Sequence, residues 1–175
     1  GELALDDPLS KYLPVTAPAF EGRAITLLDL ATHTSGLPLR PASRVERSQD
    51  DPYAGYTEAD LYTDVAAVRL TRAPGAAFEY SNFGYGLLGA ALCNRLEVTY
   101  TELLAARVLA ALGMSETTLE PTDAMRARMV QGYDANFAPA RPWAFGALAP
   151  AGGLYSTIAD LQKFTAVWTD SEGPL

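Results

Sequence analysis

The sequence predicts a mainly α-helical fold that forms a single unit over residues 1–175. Helix-start signals precede apolar residues at helical spacing in five segments, which is the pattern of amphipathic helices. Alternating apolar runs typical of strands are scarce, and much of the remaining chain lies in two irregular stretches, residues 39–56 and 116–150. Little of the chain is therefore left to form a sheet, although its length suffices for a sizeable core.

Capping boxes mark the start of the first two predicted helices. Thr26 precedes the first helix and Thr57 the second, each with an aspartate three positions later. The first helix should end near Gly36, because glycine adopts the left-handed cap conformation without strain. The Pro-Gly pair that begins at Pro74 breaks the second. The polar loop between the helices, residues 39–56, is long enough for a lid or a binding loop.

The third predicted helix runs from Ser81 to about Leu96 and contains three glycines. Each glycine inside a helix costs about 1 kcal/mol relative to alanine, so their presence predicts close packing against other elements. A capping box at Thr99 opens the fourth helix, which should end at Gly113. The Ser-Thr pair that begins at Ser156 should cap the last helix.

Charge and composition argue against several classes of partner and cofactor. The net charge is −8, whereas a nucleic-acid partner requires clustered cations, so no nucleic-acid partner is predicted. With one histidine and one cysteine, a zinc or haem site held by the protein alone is not expected, and no cofactor is predicted. The sequence has no run of about 18 apolar residues, so no membrane span is predicted.

The segment Tyr80-Ser81-Asn82 contains the candidate catalytic groups. A tyrosine has a pKa near 10, but close lysine ammonium groups favour its phenolate, which can then take a proton from a hydroxyl. The Asn82 amide can accept a hydrogen bond from a lysine and donate one to a substrate carbonyl at the same time. We interpret Ser81 as a helix cap rather than a nucleophile, because no base stands at a suitable spacing.

Five stretches, in this order, carry a resemblance to a known family: LDDPLSKYLP (5–14), LLDLATHTSGLP (27–38), PGAAFEYSNFGY (74–85), VQGY (130–133) and AGGLYSTIADL (151–161). They resemble the class C β-lactamase, D,D-peptidase and esterase family of serine hydrolases. The resemblance implies the helical domain and flanks of a β-lactamase/transpeptidase-like α/β fold. It also implies cleavage of an amide or ester bond through an acyl-enzyme. The substrate would be a small acyl compound: a β-lactam, a D-Ala peptide or a small ester. Relatives act mostly in the periplasm or outside the cell.

The same resemblance implies roles for individual residues. Tyr80 would be the general acid or base, and Asn82 would contact the lysine and the substrate. The segment around His33 would be structural support. Aromatic residues can line an acyl or leaving-group pocket or pack in a core, and paired glycines can let the backbone pass close to a site or form a simple turn. The candidate substrate-binding residues of these two kinds are Tyr133, Trp143, Gly152 and Gly153.

Two of the family's three motifs are missing from the 175 residues. No serine is followed three positions later by lysine, so the Ser-x-x-Lys motif of the nucleophile is absent. Neither Lys11 nor Lys163 begins a Lys-Thr-Gly sequence. The resemblance therefore places the nucleophile before Gly1 and the late strand after Leu175. It implies an enzyme, but it predicts that this chain is an incomplete domain and inactive alone.

Two alternatives remain open at the level of the sequence. The chain can be a non-catalytic helical binding module that kept the scaffold, or one half of a split enzyme that another chain completes. A family fragment without its sheet would expose apolar surface, so we expect it to self-associate, to bind a complementing chain or to be only marginally stable.

Overall fold

The computed structural model describes residues 2–44 and 51–169. They form two compact units. The first comprises residues up to Glu97 together with Arg141–Gly152, and the second comprises Val98–Ala140 and the residues from Gly153 onward. Residues 45–50, in the middle of the predicted loop, lie outside the described residues.

The first unit is mainly helical, as predicted. Its three α-helices and one two-stranded antiparallel hairpin are β1 (Ala19–Phe20), β2 (Arg23–Ala24), α1 (Leu27–Ala31), α2 (Glu58–Ala67) and α3 (Asn82–Leu96). Three 3₁₀-helices complete it: Leu9–Lys11, Ala42–Arg44 and Gly146–Ala151. The hairpin was not predicted, because two-residue strands are too short to show an alternating pattern.

The capping boxes of the first two helices are confirmed, whereas the predicted end of α1 is wrong. Both Thr26 and Thr57 accept a hydrogen bond from the backbone N–H three residues later, and the aspartate there bonds back. Helix α1 ends at Ala31, and the first left-handed residue after it is His33, with φ of 57°, rather than Gly36. The physical reason lies outside the local sequence, because the His33 side chain and carbonyl bond to residues after position 78.

The core of the first unit lies between these helices and the last 3₁₀-helix. Helix α3 packs against that 3₁₀-helix so closely that a Cβ at Gly86 would lie 2.4 Å from Leu148 Cδ2. A Cβ at Gly89 would lie 2.2 Å from Pro150 Cγ. The predicted close packing of α3 is therefore confirmed. The largest fully buried side chains of this unit are Leu9, Ile25, Leu30, Leu37, Tyr53, Tyr56, Leu61, Val65, Phe83, Leu87 and Leu148.

The buried carboxylate of Asp64, on α2, binds both ends of the loop that precedes the helix. Its Oδ2 accepts hydrogen bonds from Ser43 Oγ at 2.6 Å and from the Tyr56 hydroxyl at 2.8 Å. Burial and this bond raise the pKa of Tyr56, so the hydroxyl stays protonated as a donor. Asp64 thereby connects Ser43, before the undescribed residues, to Tyr56 after them.

We expect Asp64→Asn to lower the free energy of unfolding by about 1–3 kcal/mol, because hydrogen bonds to a charged acceptor are lost in a buried place. Urea denaturation measures the loss. Tyr56→Phe removes only one of the donors and should cost less. A loss below about 0.5 kcal/mol, the range of ordinary surface substitutions, would contradict a structural role for this carboxylate.

The second unit contains the remaining helices and a second hairpin. Its elements are α4 (Tyr100–Leu104), a π-helix (Ala105–Leu109), α5 (Asp123–Arg126), β3 (Gly132–Tyr133), β4 (Pro139–Ala140) and α6 (Ile158–Thr169). The predicted cap at Thr99 is confirmed, and Gly113 has the expected positive φ of 64°. Thr157 rather than Ser156 accepts the Asp160 N–H at the start of α6. The stretch predicted to be irregular contains α5 and the β3–β4 hairpin, both too short for periodicity to reveal.

Helix α6 is fixed within the second unit by one buried aspartate. The Asp160 carboxylate accepts the Glu116 N–H at 2.8 Å, the Thr117 hydroxyl at 3.0 Å and the Lys163 ammonium at 2.7 Å. The Lys163 ammonium is the main cause that lowers the pKa of Asp160. Apolar side chains of the same helix are exposed, with Ile158 79% and Trp168 76% accessible. Over the described ranges, no helix is long and apolar enough to cross a membrane.

Candidate active site

Ser81 forms the N-cap of α3 and fixes the turn that carries the candidate catalytic groups. Its hydroxyl accepts the Gly84 N–H at 2.8 Å and donates to the Pro38 carbonyl at 2.7 Å. The side chain is buried and both hydrogen-bonding directions of the hydroxyl are used. The interpretation of Ser81 as a cap is therefore confirmed, and its hydroxyl is not placed to attack a substrate.

Asn82 is the first residue of α3, and its side chain is oriented by a buried tyrosine. Its Nδ2 donates to the Tyr53 hydroxyl at 3.0 Å, while its backbone N–H donates to the Leu39 carbonyl at 3.1 Å. The bond to Tyr53 fixes the plane of the amide. The amide oxygen and the second N–H are the groups that can meet a lysine ammonium and a substrate carbonyl.

Tyr53 contacts the candidate site, and the sequence did not reveal it. It is only 1% exposed, and its ring packs against Phe145 at 5.4 Å and Trp143 at 6.1 Å between ring centroids. The Arg40 guanidinium lies over the ring at 5.9 Å from its centroid. This aromatic cluster fixes the position of the Tyr53 ring, and the Tyr53 hydroxyl in turn orients the Asn82 amide. The only sequence signal was the turn dipeptide Asp51-Pro52 before it.

The predicted substrate-binding residues fall into both units. Trp143 belongs to the first unit and contacts the ring of Tyr53, the residue whose hydroxyl bonds to Asn82. Gly152 lies in the same unit, where a Cβ would meet the Phe145 ring at 3.6 Å, an ordinary contact distance. Tyr133 and Gly153 belong to the second unit, where Tyr133 is exposed on β3.

Tyr80 precedes the cap and presents a half-exposed phenol, with 51% of the residue accessible. Its ring contacts that of His33 at a centroid distance of 4.4 Å. The two lysines of the chain are each engaged within their own unit, Lys11 with Asp7 at 2.9 Å and Lys163 with Asp160 at 2.7 Å. Tyr80 is thus half exposed, and both lysines have acidic partners elsewhere.

His33 packs behind Tyr80. Its ring contacts both Tyr80 and Tyr85, with Tyr85 stacked at 4.7 Å, and its Nδ1 accepts the Ser81 N–H at 3.2 Å. Burial lowers the pKa of His33, which favours the neutral ring. These contacts are those of a supporting residue. Among the residues that the structure describes, no group of three or more His, Cys, Asp or Glu side chains is placed to hold a metal ion.

Comparison with known proteins gives a family assignment. The family model described as Beta-lactamase matches residues 1–174. The D-alanyl-D-alanine-carboxypeptidase/endopeptidase AmpH of Escherichia coli K12 is 35% identical over 98% of this chain, and the match covers 44% of that protein. A human protein described as putative beta-lactamase-like 1 is 32% identical over 91% of this chain and 32% of its own length.

Solved structures agree in fold. The β-lactamase/D-alanine carboxypeptidase of Yersinia pestis, solved with citrate, superposes with a TM-score of 0.80 at 32% identity, over 94% of this chain and 46% of that one. The octameric penicillin-binding protein homologue of Pyrococcus abyssi gives a TM-score of 0.77 at 26% identity, over 99% and 41%. The chain therefore spans less than half the length of these relatives and has the fold of the helical part of a β-lactamase/transpeptidase-like structure.

The expected resemblance is confirmed by the family model, by the relatives and by the fold. The chain belongs to the beta-lactamase family.

Proposed function

We propose that this chain supplies the proton-transfer phenol and the substrate-positioning amide of a serine hydrolase that cleaves an amide or ester bond through an acyl-enzyme. The observation that carries the proposal is the arrangement at the start of α3. The half-exposed Tyr80 phenol stands two residues before Asn82, whose amide is oriented by the buried Tyr53 hydroxyl. The cap formed by Ser81 joins the two in one rigid turn.

In the proposed reaction, a serine hydroxyl attacks the substrate carbonyl while the Tyr80 oxygen takes its proton. The phenol then gives this proton to the leaving amine or alcohol, and the serine is left acylated. A water molecule attacks the acyl-enzyme in the second half, passing its proton through the same phenol to the serine. Asn82 binds the substrate carbonyl through its N–H and orients the lysine through its oxygen.

In this proposal, the nucleophile and the ammonium groups belong to residues other than these 175. The sequence contains no Ser-x-x-Lys, and the hydroxyl of Ser81 is used by the cap. The proposed substrates are β-lactams, D-Ala peptides and small esters. Support comes from relatives described as β-lactamases and as D-alanyl-D-alanine carboxypeptidases.

We expect this chain alone to give no turnover of a chromogenic cephalosporin, a p-nitrophenyl ester or a D-Ala-D-Ala peptide. Turnover should appear when the chain replaces the matching segment of the Escherichia coli relative, with which it shares 35% identity. Steady-state hydrolysis by the two proteins measures the difference. Clear turnover by the isolated chain would contradict the proposal that it lacks the nucleophile. An inactive but folded exchange protein would contradict the proposed catalytic function.

A non-catalytic binding module, or one half of a split enzyme, is the second candidate function. It is supported by the exposed apolar side chains of α6, among them Ile158 and Trp168. Sedimentation of the isolated chain tests it, because self-association together with an inactive exchange protein would favour this alternative.

A further inference from the structure

His33 is the sole histidine of the chain, and it contacts three consecutive residues at the candidate site. Its carbonyl accepts the Glu79 N–H at 2.7 Å, its ring lies against the Tyr80 ring at 4.4 Å, and its Nδ1 accepts the Ser81 N–H at 3.2 Å. One residue thus fixes the backbone on both sides of Tyr80 as well as the phenol ring itself.

Two further aromatic rings contact the imidazole. Tyr85, one turn into α3, stacks on it at 4.7 Å with an interplanar angle of 25°, and the Phe78 ring meets its edge at 5.8 Å. The Tyr85 hydroxyl donates to the Ala31 carbonyl at 3.0 Å, which fixes that ring in turn. The imidazole that contacts Tyr80 is therefore connected, through Tyr85, to both α1 and α3.

The backbone conformation at His33 also indicates that its side chain has a role at the site. Its φ of 57° lies in the left-handed region, where a residue with a side chain is disfavoured and glycine is not. Glycine at this place would remove the strain, but it would also remove the ring and the acceptor. The strained conformation thus occurs together with a ring contact and a side-chain acceptor that glycine cannot supply.

We propose that His33 is a positioning residue for Tyr80: its neutral imidazole, with the proton on Nε2, holds the phenol by ring contact and the Tyr80-Ser81 peptide through Nδ1. The role rests on the proposed function only in taking Tyr80 as the proton-transfer group. Protonation of Nδ1 removes the acceptor for Ser81, because an imidazolium ring has donors at both nitrogens.

The groups around the ring leave it neutral. The rings of Tyr80 and Tyr85 pack against it, and burial lowers its pKa. Two carboxylates of the neighbouring segments are bound to cations, Glu79 to Arg72 and Asp29 to Arg23. The imidazole should therefore lose its Ser81 bond only under acidic conditions.

Nuclear magnetic resonance of the 175-residue chain tests this role without catalysis. The imidazole Hε1 signal belongs to His33 alone, and the Tyr80 Cζ signal is identified by its loss in Tyr80→Phe. We expect His33 to titrate below 6.5, its ordinary value, and the Tyr80 Cζ and Ser81 amide signals to shift with the same midpoint. The Tyr62 signal is the control, since its hydroxyl bonds to Glu58 and Asn94 instead.

Two substitutions separate the ring contact from the acceptor. His33→Asn tolerates the left-handed conformation and keeps a side-chain acceptor, so the Ser81 amide should stay protected while the Tyr80 signal is displaced and loses its titration step. His33→Phe keeps a ring, so the Tyr80 signal should stay nearer its original place while the Ser81 amide exchanges about tenfold faster.

An unchanged Tyr80 signal in a folded His33→Asn chain would overturn the proposal, even if His33→Phe does not fold. A Tyr80 signal in the unsubstituted chain that ignores the His33 titration would overturn it as well. Neither outcome depends on hydrolysis, so each is distinguishable from a failure of the proposed function.

Discussion

Tyr80→Phe should lower kcat of the exchange protein by about 10²- to 10⁴-fold, the usual contribution of a general acid–base group. The substitution removes one oxygen and keeps the ring, so the contact with His33 and the turn at Ser81 are retained. KM should change little, because Asn82 and the aromatic cluster behind it are unaltered. Hydrolysis of the cephalosporin and of the ester measures both parameters.

Tyr62→Phe is the matched control for this loss. It removes a phenol oxygen from α2 of the same unit, where the hydroxyl bonds to Glu58 and Asn94 and not to the site. Turnover should be unchanged in this variant. If Tyr80→Phe retains the turnover of the unsubstituted protein while both variants unfold at the same urea concentration, the phenol does not transfer the proton.

The candidate groups that the sequence predicted are those that stand together along the chain. Tyr80 and Asn82 could be proposed because they share one turn, and the cap at Ser81 follows from its place before an apolar helix. Tyr53 could not be predicted, because its bond to Asn82 joins residues 29 positions apart. It also comes from a loop without periodicity, and its burial by Trp143 depends on a segment still further along the chain.

The same distinction holds for the fold. Helix starts were predicted well because a capping box is complete within four residues. The end of α1 was mispredicted because the left-handed residue there is chosen by tertiary contacts, the hydrogen bonds from Glu79 and Ser81 to His33. The glycines of α3 predicted close packing. Their partners, Leu148 and Pro150, lie some 60 residues later, and no sequence pattern there indicates that they pack against α3.

Gly146 connects the packing of the first unit to the candidate site. It begins the last 3₁₀-helix with φ of 52°, and a Cβ placed on it would lie 2.2 Å from the Tyr56 carbonyl oxygen. That oxygen also accepts the Ala147 N–H at 2.9 Å, so it cannot retreat without breaking a bond. The close approach holds the segment that carries Trp143 and Phe145 against Tyr53, the residue that orients Asn82.

Gly146→Ala should therefore lower the free energy of unfolding by about 2–5 kcal/mol, the sum of left-handed strain and overpacking against backbone. Gly55→Ala is the matched control, since Gly55 has a similar φ of 66° but a Cβ placed on it would meet nothing within 4 Å. This control should cost only about 1–2 kcal/mol, the left-handed strain by itself. Urea denaturation of the two variants separates the left-handed strain from the overpacking, because the difference between their losses of stability reports the close approach to Tyr56 alone.

Equal losses would mean that the Tyr56 carbonyl moves away from an added Cβ without a cost in stability. In that case the segment that carries Trp143 and Phe145 is not held in place by Gly146, and the orientation of Asn82 must depend on Tyr53 and Arg40 without it.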